Sequence, residues 1–103
     1  MERDALLSEI RQRNRERLPR LIDIERRASE GYALSRNACD DMLDGMESAS
    51  SSLALADPDQ HEVILARRIL VICESIRLYA QINEQERYSA RQRATCKGSD
   101  ARP

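Results

Sequence analysis

Apolar residues recur along this chain at helical spacing, and nowhere do they alternate in the manner of a strand. The most sustained pattern lies in the last third, where Leu65, Ile69, Ile72, Ile76 and Tyr79 repeat at intervals of four and three. Ile64, Val71, Leu78 and Ile82 flank that stripe. On a helix turning by about 100° per residue, the apolar arc covers roughly half the circumference, with Glu74, Arg77, Gln81 and Glu84 opposite. The stretch "DPDQHE" (57–62) supplies a start: Asp57 caps, Pro58 takes the first helical position, and Asp59 and Glu62 sit where the helix dipole favours negative charge. The pattern predicts a helix from residue 58 to about residue 89.

Upstream, Pro19 interrupts any helix begun at residue 2 and itself opens the next. A second helix reads from Pro19 or Arg20 to Ser48, with Leu21, Ile24, Ala28, Tyr32, Ser35, Cys39, Met42 and Met46 facing inward. Gly31 and Gly45 weaken it by up to about 1 kcal/mol each, which leaves room for a break at either. The serine cluster of "SASSSLALAD" (48–57) reads as the main connector. Residues 91–103 carry no apolar pattern and read as a disordered polar tail behind a single helical domain, 1–90. The expected fold is all-α: a long helical hairpin with a shorter N-terminal helix (2–17), completed by dimerisation.

Charge refines this picture. The 103 residues carry a formal net charge of −1, which gives no general attraction to phosphate or membrane. Residues 37–62 hold seven acids and no base, between two mildly basic flanks. Lys97 is the only lysine among 17 basic residues, a bias that fits either GC-rich coding or selection for bidentate ion pairs. All three aromatics are tyrosines, so the core must be aliphatic. The longest uninterrupted apolar run, "ILVIC" (69–73), is far short of a membrane span, and the charged start lacks an apolar leader. Cys39, Cys73 and Cys96 are odd in number and share no CxxC spacing, which argues against a disulfide framework or zinc site. These features predict a cytoplasmic protein without membrane contact.

No motif identifies an activity. "RQRNRER" (11–17) puts four arginines into seven positions, but on a helix they fall at different angles and interleave with acids. Glu9–Arg13 and Glu16–Arg20 are the i,i+4 pairs expected of a solvated helix face. Phosphate binding asks for a one-signed face and for stacking platforms, which disfavours nucleic acid. "DDMLDGMES" (40–48) resembles a calcium loop only superficially, because Met42 and Ser51 fall where oxygen-rich ligands are required. His61 stands alone, and "HEVIL" is not a zinc-binding HExxH. Neither a cofactor site nor a catalytic constellation is expected. Arg68 projects into the apolar arc, which leaves three outcomes: it snorkels to solvent over its aliphatic stem, it pairs with an acid across an interface (Asp41 or Asp44), or the arc is rotated from this projection. Cys39 and Cys73 read as small core residues.

One hairpin partner cannot sheathe half a cylinder, and surplus apolar surface on a small chain marks an interface. The expected homodimer interface comprises Leu65, Arg68, Ile69, Ile72, Ile76 and Tyr79. Leu7, Ile10, Leu18, Ile22 and Ile82 are the candidates for contact with another protein.

The segment "PDQHEVILARRILVICESIRLYAQIN" (58–83), through Pro58, Gln60 and His61, is similar to small helical anti-activators of quorum-sensing receptors. The resemblance covers about a quarter of the chain. It implies a non-catalytic helical dimer that binds a LuxR-type transcription factor and keeps it from dimerising or engaging DNA. The Arg-rich leading helix and the polar tail depart from it, and no individual binding residue carries over. Type III secretion chaperones and phage-encoded inhibitors share the same small, acidic, dimeric character. Nucleic-acid binding through the Arg-rich leading helix is the remaining alternative.

Overall fold

A computed structural model describes residues 2–55 and 59–100, with side chains over 5–55 and 59–94. Three helices follow one another: α1 (Glu2–Ser29), α2 (Arg36–Leu53) and α3 (Gln60–Asp100). All three pack on one another. Contacts at opposite ends fix their directions. Arg11 meets Glu62 at one end and Ala28 meets Asn83 at the other, so α1 and α3 run parallel. Asn14 meets Ser52 and Arg17 meets Asp44, so α2 runs back between them. The result is an up-down-up arrangement, drawn out to 77 × 20 × 18 Å.

The observed boundaries differ from the expected hairpin. Pro19 lies inside α1 and does not break it. An interior proline removes one backbone hydrogen bond and costs about 3 kcal/mol, but it projects outward while its neighbours bury. Asn14 and Leu21 on either side, and Ala28 beyond, all face the core. Burying a leucine-sized side chain contributes about 1.5–3 kcal/mol, and several such residues offset the proline.

The break falls at Gly31. Its φ of +95° is a left-handed conformation that glycine adopts freely. The amide of Gly31 donates to the Ala28 carbonyl and that of Tyr32 to the Arg27 carbonyl, each at 3.1 Å, the pattern of a Schellman stop. Ser35, expected on the inward stripe, is exposed and caps α2 by accepting from the Ala38 amide at 3.0 Å. Tyr32 likewise stands outside the helices and is exposed.

The serine-rich stretch splits. Residues 48–53 finish α2, because Ala49 and Ser52 face the core. Asp57 and Pro58 lie outside the described residues. The cap of α3 is Asp59, whose Oδ1 accepts from the His61 amide at 3.3 Å. α3 then runs through residues 91–100, where the sequence alone suggests an unstructured tail.

The core is a layer of Leu21, Met42, Ala49, Ala66, Ile69, Ile72, Cys73 and Ile76. Gly45 of α2 packs closely against residues of both other helices. A Cβ placed there would lie 3.0 Å from Leu21 Cδ1, 3.7 Å from Ile69 Cγ2 and 3.8 Å from Cys73 Sγ.

The packed part does not use the full helices. Arg11 is level with Glu62, so the first nine residues or so of α1 reach past the start of α3. At the other end Ala28 is level with Asn83, and every described side chain of α3 from Glu84 to Ala94 is exposed. The two overhangs therefore point in opposite directions.

Candidate interaction surface

Polar side chains close the core at both ends. Glu62, expected as a first-turn acid of the last helix, is 8 % exposed and forms an ion pair with Arg11. Beside it Asn14, 2 % exposed, donates through Nδ2 to Ser52 Oγ at 2.9 Å. Ser52 in turn donates to the Ser48 carbonyl at 3.2 Å. At the far end the buried Asn83 donates to the Ala28 carbonyl at 2.8 Å. A buried polar group is costly unless it is partnered, so these contacts penalise any sliding of α3 along α1.

The Arg-rich run of α1 is largely engaged. Arg13 pairs with Glu9, as the spacing predicts. Glu16 instead accepts from Gln12 at 3.1 Å. Arg11 crosses to Glu62, and Arg17 donates to the Asp44 carbonyl at 2.9 Å with its other nitrogen 3.9 Å from the Asp44 carboxylate. These are ties between helices, and a free basic arm is not what they leave.

Asp44 is thus claimed by Arg17. Arg68 is exposed and, among the described residues of the single chain, pairs with neither Asp41 nor Asp44. Cys73 is buried as expected, with its thiol 3.6 Å from the Met42 carbonyl. Burial in this apolar layer pushes its pKa up to about 11. Cys39 is half-buried, and the side chain of Cys96 lies outside the described residues.

The residues expected to form a dimer interface divide sharply. Ile69 and Ile76 are 0 % exposed, Ile72 is buried with them, and Leu65 packs against the same layer. These four belong to the chain's own core, because two helices rather than one cover this side of α3. Only Arg68 and Tyr79 of that set reach the surface. The open apolar stripe is the neighbouring one: Ile64 at 58 %, Val71 at 66 %, Leu78 at 50 % and Ile82 at 48 % exposure. Of the residues expected to meet another protein, Ile82 joins this stripe and Ile22 is exposed on α1. Leu7 and Ile10 are half-buried near the α1 overhang, and Leu18 packs against the core. Heptad spacing marks the open stripe in the sequence, but spacing alone does not say which side of a wide arc stays uncovered.

A cleft of about 650 Å³ lies at the α1–α2 turn, lined by Arg20, Asp23, Arg27, Tyr32 and Asp41 among others. Its charges are of both signs, and Asp23 already pairs with Arg26 and Arg27. A smaller space of about 100 Å³ lies beside Arg11, Asn14, His61 and Glu62. Among the described residues, no group of three or more His, Cys, Asp or Glu is placed to hold a metal ion, and no helix is long and apolar enough to cross a membrane.

Among the described residues, fold and surface together define an all-α protein of three mutually packed helices with an exposed apolar stripe on α3. Comparison with protein families, curated proteins and solved structures finds no match to this chain.

Proposed function

We propose that this protein is a non-catalytic regulator that works by binding: it pairs with itself and presents a helical surface that blocks an interface of another protein. The observation that carries the reading is the stripe of Ile64, Val71, Leu78 and Ile82, left about half exposed or more after the core is complete. Four exposed large apolar residues along one side of a helix on so small a chain mark a recognition surface. The similarity of Pro58, Gln60 and His61 to quorum-sensing anti-activators makes a LuxR-type transcription factor the favoured target class, held in the cytoplasm away from its operator.

The test is a retardation assay with a purified LuxR-type activator and its operator duplex. A stoichiometric amount of the protein should release the duplex, and Val71→Glu should abolish that release. Retention of the activator–DNA complex at a large excess of the protein overturns the assignment of target. Retardation of the duplex by the protein alone, steepening at low salt, would favour the nucleic-acid alternative. The ties of Arg11, Arg13 and Arg17 to acidic or carbonyl partners argue against that outcome.

A further inference from the structure

Pro19 divides α1 into two halves that are held in different ways. Having no N–H, it leaves the Arg15 carbonyl without the donor that the next turn of a helix supplies, so the ladder is weakest between these two residues. Beyond Pro19 the helix is anchored by apolar burial. Leu21 and Ala28 are buried, Ile24 packs against the same layer, and Asn83 ties the end. Before Pro19, from residue 5 to residue 18, the one buried side chain is polar: Asn14. Three polar links fasten this half, from Arg11 to Glu62, from Asn14 to Ser52 and from Arg17 to Asp44. Apolar contact comes from Leu18, with Leu7 and Ile10 half-buried.

The face beneath that half is incompletely closed. Asn14 Oδ1 is buried and, among the described residues, accepts no hydrogen bond. The space of about 100 Å³ beside Arg11, Asn14, Glu62 and Leu65 interrupts the packing at the same place. A buried acceptor without a donor and a gap between side chains each raise the free energy of the closed arrangement. Letting water in satisfies Asn14, Ser52 and Glu62 together. Release of this half therefore hydrates several polar groups and uncovers little apolar surface.

We infer that the first half of α1, residues 2–18, is a flap that opens at Pro19 while the rest of α1, α2 and α3 stay folded. Such a unit sits at the low end of the range of local stabilities within one fold. Once released, its roughly seventeen residues are close to the length at which an isolated helix is marginal in water, so the flap loses its helix as it leaves. Opening uncovers Ser52, Glu62 and Leu65, where α2 ends and α3 begins. The stripe of Ile64, Val71, Leu78 and Ile82 is exposed with the flap closed, so the device is separate from the proposed recognition surface.

The test is amide hydrogen exchange on the full chain, resolved by residue. Amides 11–18 donate to carbonyls within the flap, and amides 24–28 donate to carbonyls beyond the hinge. The first set should exchange at least about 30-fold faster than the second, with the step in rate between Ile22 and Ile24. Asn83→Ala removes a contact that opening leaves intact, so it should speed amides 24–28 about 10-fold and leave 11–18 unchanged. Glu62→Gln removes the carboxylate that holds Arg11 and should speed amides 11–18 at least about 5-fold. Circular dichroism checks that both variants keep their helices. Equal rates for the two sets in the parent, or equal acceleration of both by Asn83→Ala, overturn the inference, because α1 then opens only with the whole chain. A smooth rise in rate toward residue 2 with no step near Pro19 is fraying from the end and overturns it as well. Rates at 11–18 that ignore Glu62→Gln do the same, since the link from Arg11 then plays no part in holding the flap.

Discussion

Asn83, late in α3, donates its side-chain amide to the carbonyl oxygen of Ala28 at 2.8 Å. The contact spans 55 residues of sequence and gives the Ala28 carbonyl, which already accepts from the Gly31 amide, a second donor. Since Asn83 is 7 % exposed, no bulk water stands ready to replace it. Asn83→Ala should therefore lower stability by about 1–2 kcal/mol, read as a shift in the urea midpoint at unchanged slope. Asn83→Asp should cost more, because it turns a carboxylate oxygen toward the Ala28 carbonyl. Equal midpoints for the two variants would show that the contact contributes little.

Gly45 brings α2 against Leu21 of α1 and Ile69 and Cys73 of α3. A methyl group there would approach Leu21 Cδ1 to 3.0 Å, within a layer in which Leu21 itself is 0 % exposed. Gly45→Ala gains about 1 kcal/mol of helix propensity and loses a similar amount to that contact, so its stability should stay near that of the parent. Gly45→Val adds two further carbons with nowhere to go and should cost about 2–3 kcal/mol. Thermal melts of both variants check this. A stable Gly45→Val protein would mean that α2 can move outward.

Much of this architecture is legible in the sequence. The core stripe of α3 falls on Ile69, Ile72 and Ile76 as the spacing predicts, and Gly31 is one of the two glycines at which a break was expected. The misreadings share a cause: each depends on what a distant segment does. Pro19 looks like a boundary because its cost is local, whereas the compensation comes from Leu21 and Ala28 meeting other helices. The buried roles of Glu62 and Asn83 leave no local signal, because their partners, Arg11 and the Ala28 carbonyl, are more than fifty positions away. The dimer face was placed on the middle of the α3 arc because one covering helix was expected. Moving the break from Pro19 to Gly31 gives α3 two full neighbours, and the uncovered stripe shifts to Ile64, Val71, Leu78 and Ile82.

Pro19 carries a prediction of its own. It is exposed, it lies within α1, and its ring nitrogen cannot donate to the helix. Pro19→Ala restores that donor without touching the core. The gain of up to about 3 kcal/mol is reduced by about 1 kcal/mol, because the unfolded chain is freed as well. A net stabilisation of about 1–2 kcal/mol should appear in denaturant titrations. A loss of stability instead would show that α1 requires a kink at this position.

Cys73 gives the fold a dependence on alkaline pH. Its thiol is 1 % exposed among Ile69, Ile72 and Ile76, and burial raises its pKa from 9.0 to about 11. Below pH 9 the thiol is protonated in both the folded and the unfolded chain and contributes no pH dependence. Between about pH 9 and pH 11 the unfolded chain gives up its proton while the folded chain keeps it, so stability falls as pH rises. The loss approaches about 2–3 kcal/mol at the upper end of that window, since each unit of difference corresponds to about 1.4 kcal/mol. The measurement is the difference between the parent and Cys73→Ala. Cys73→Ala should be less stable at pH 8, where it leaves a small cavity and removes the thiol contact to the Met42 carbonyl, and that deficit should shrink steadily toward pH 10.5. A deficit that stays constant across the window would mean that the thiol ionises as readily in the folded protein as in the unfolded chain, and that the layer around it is open to water.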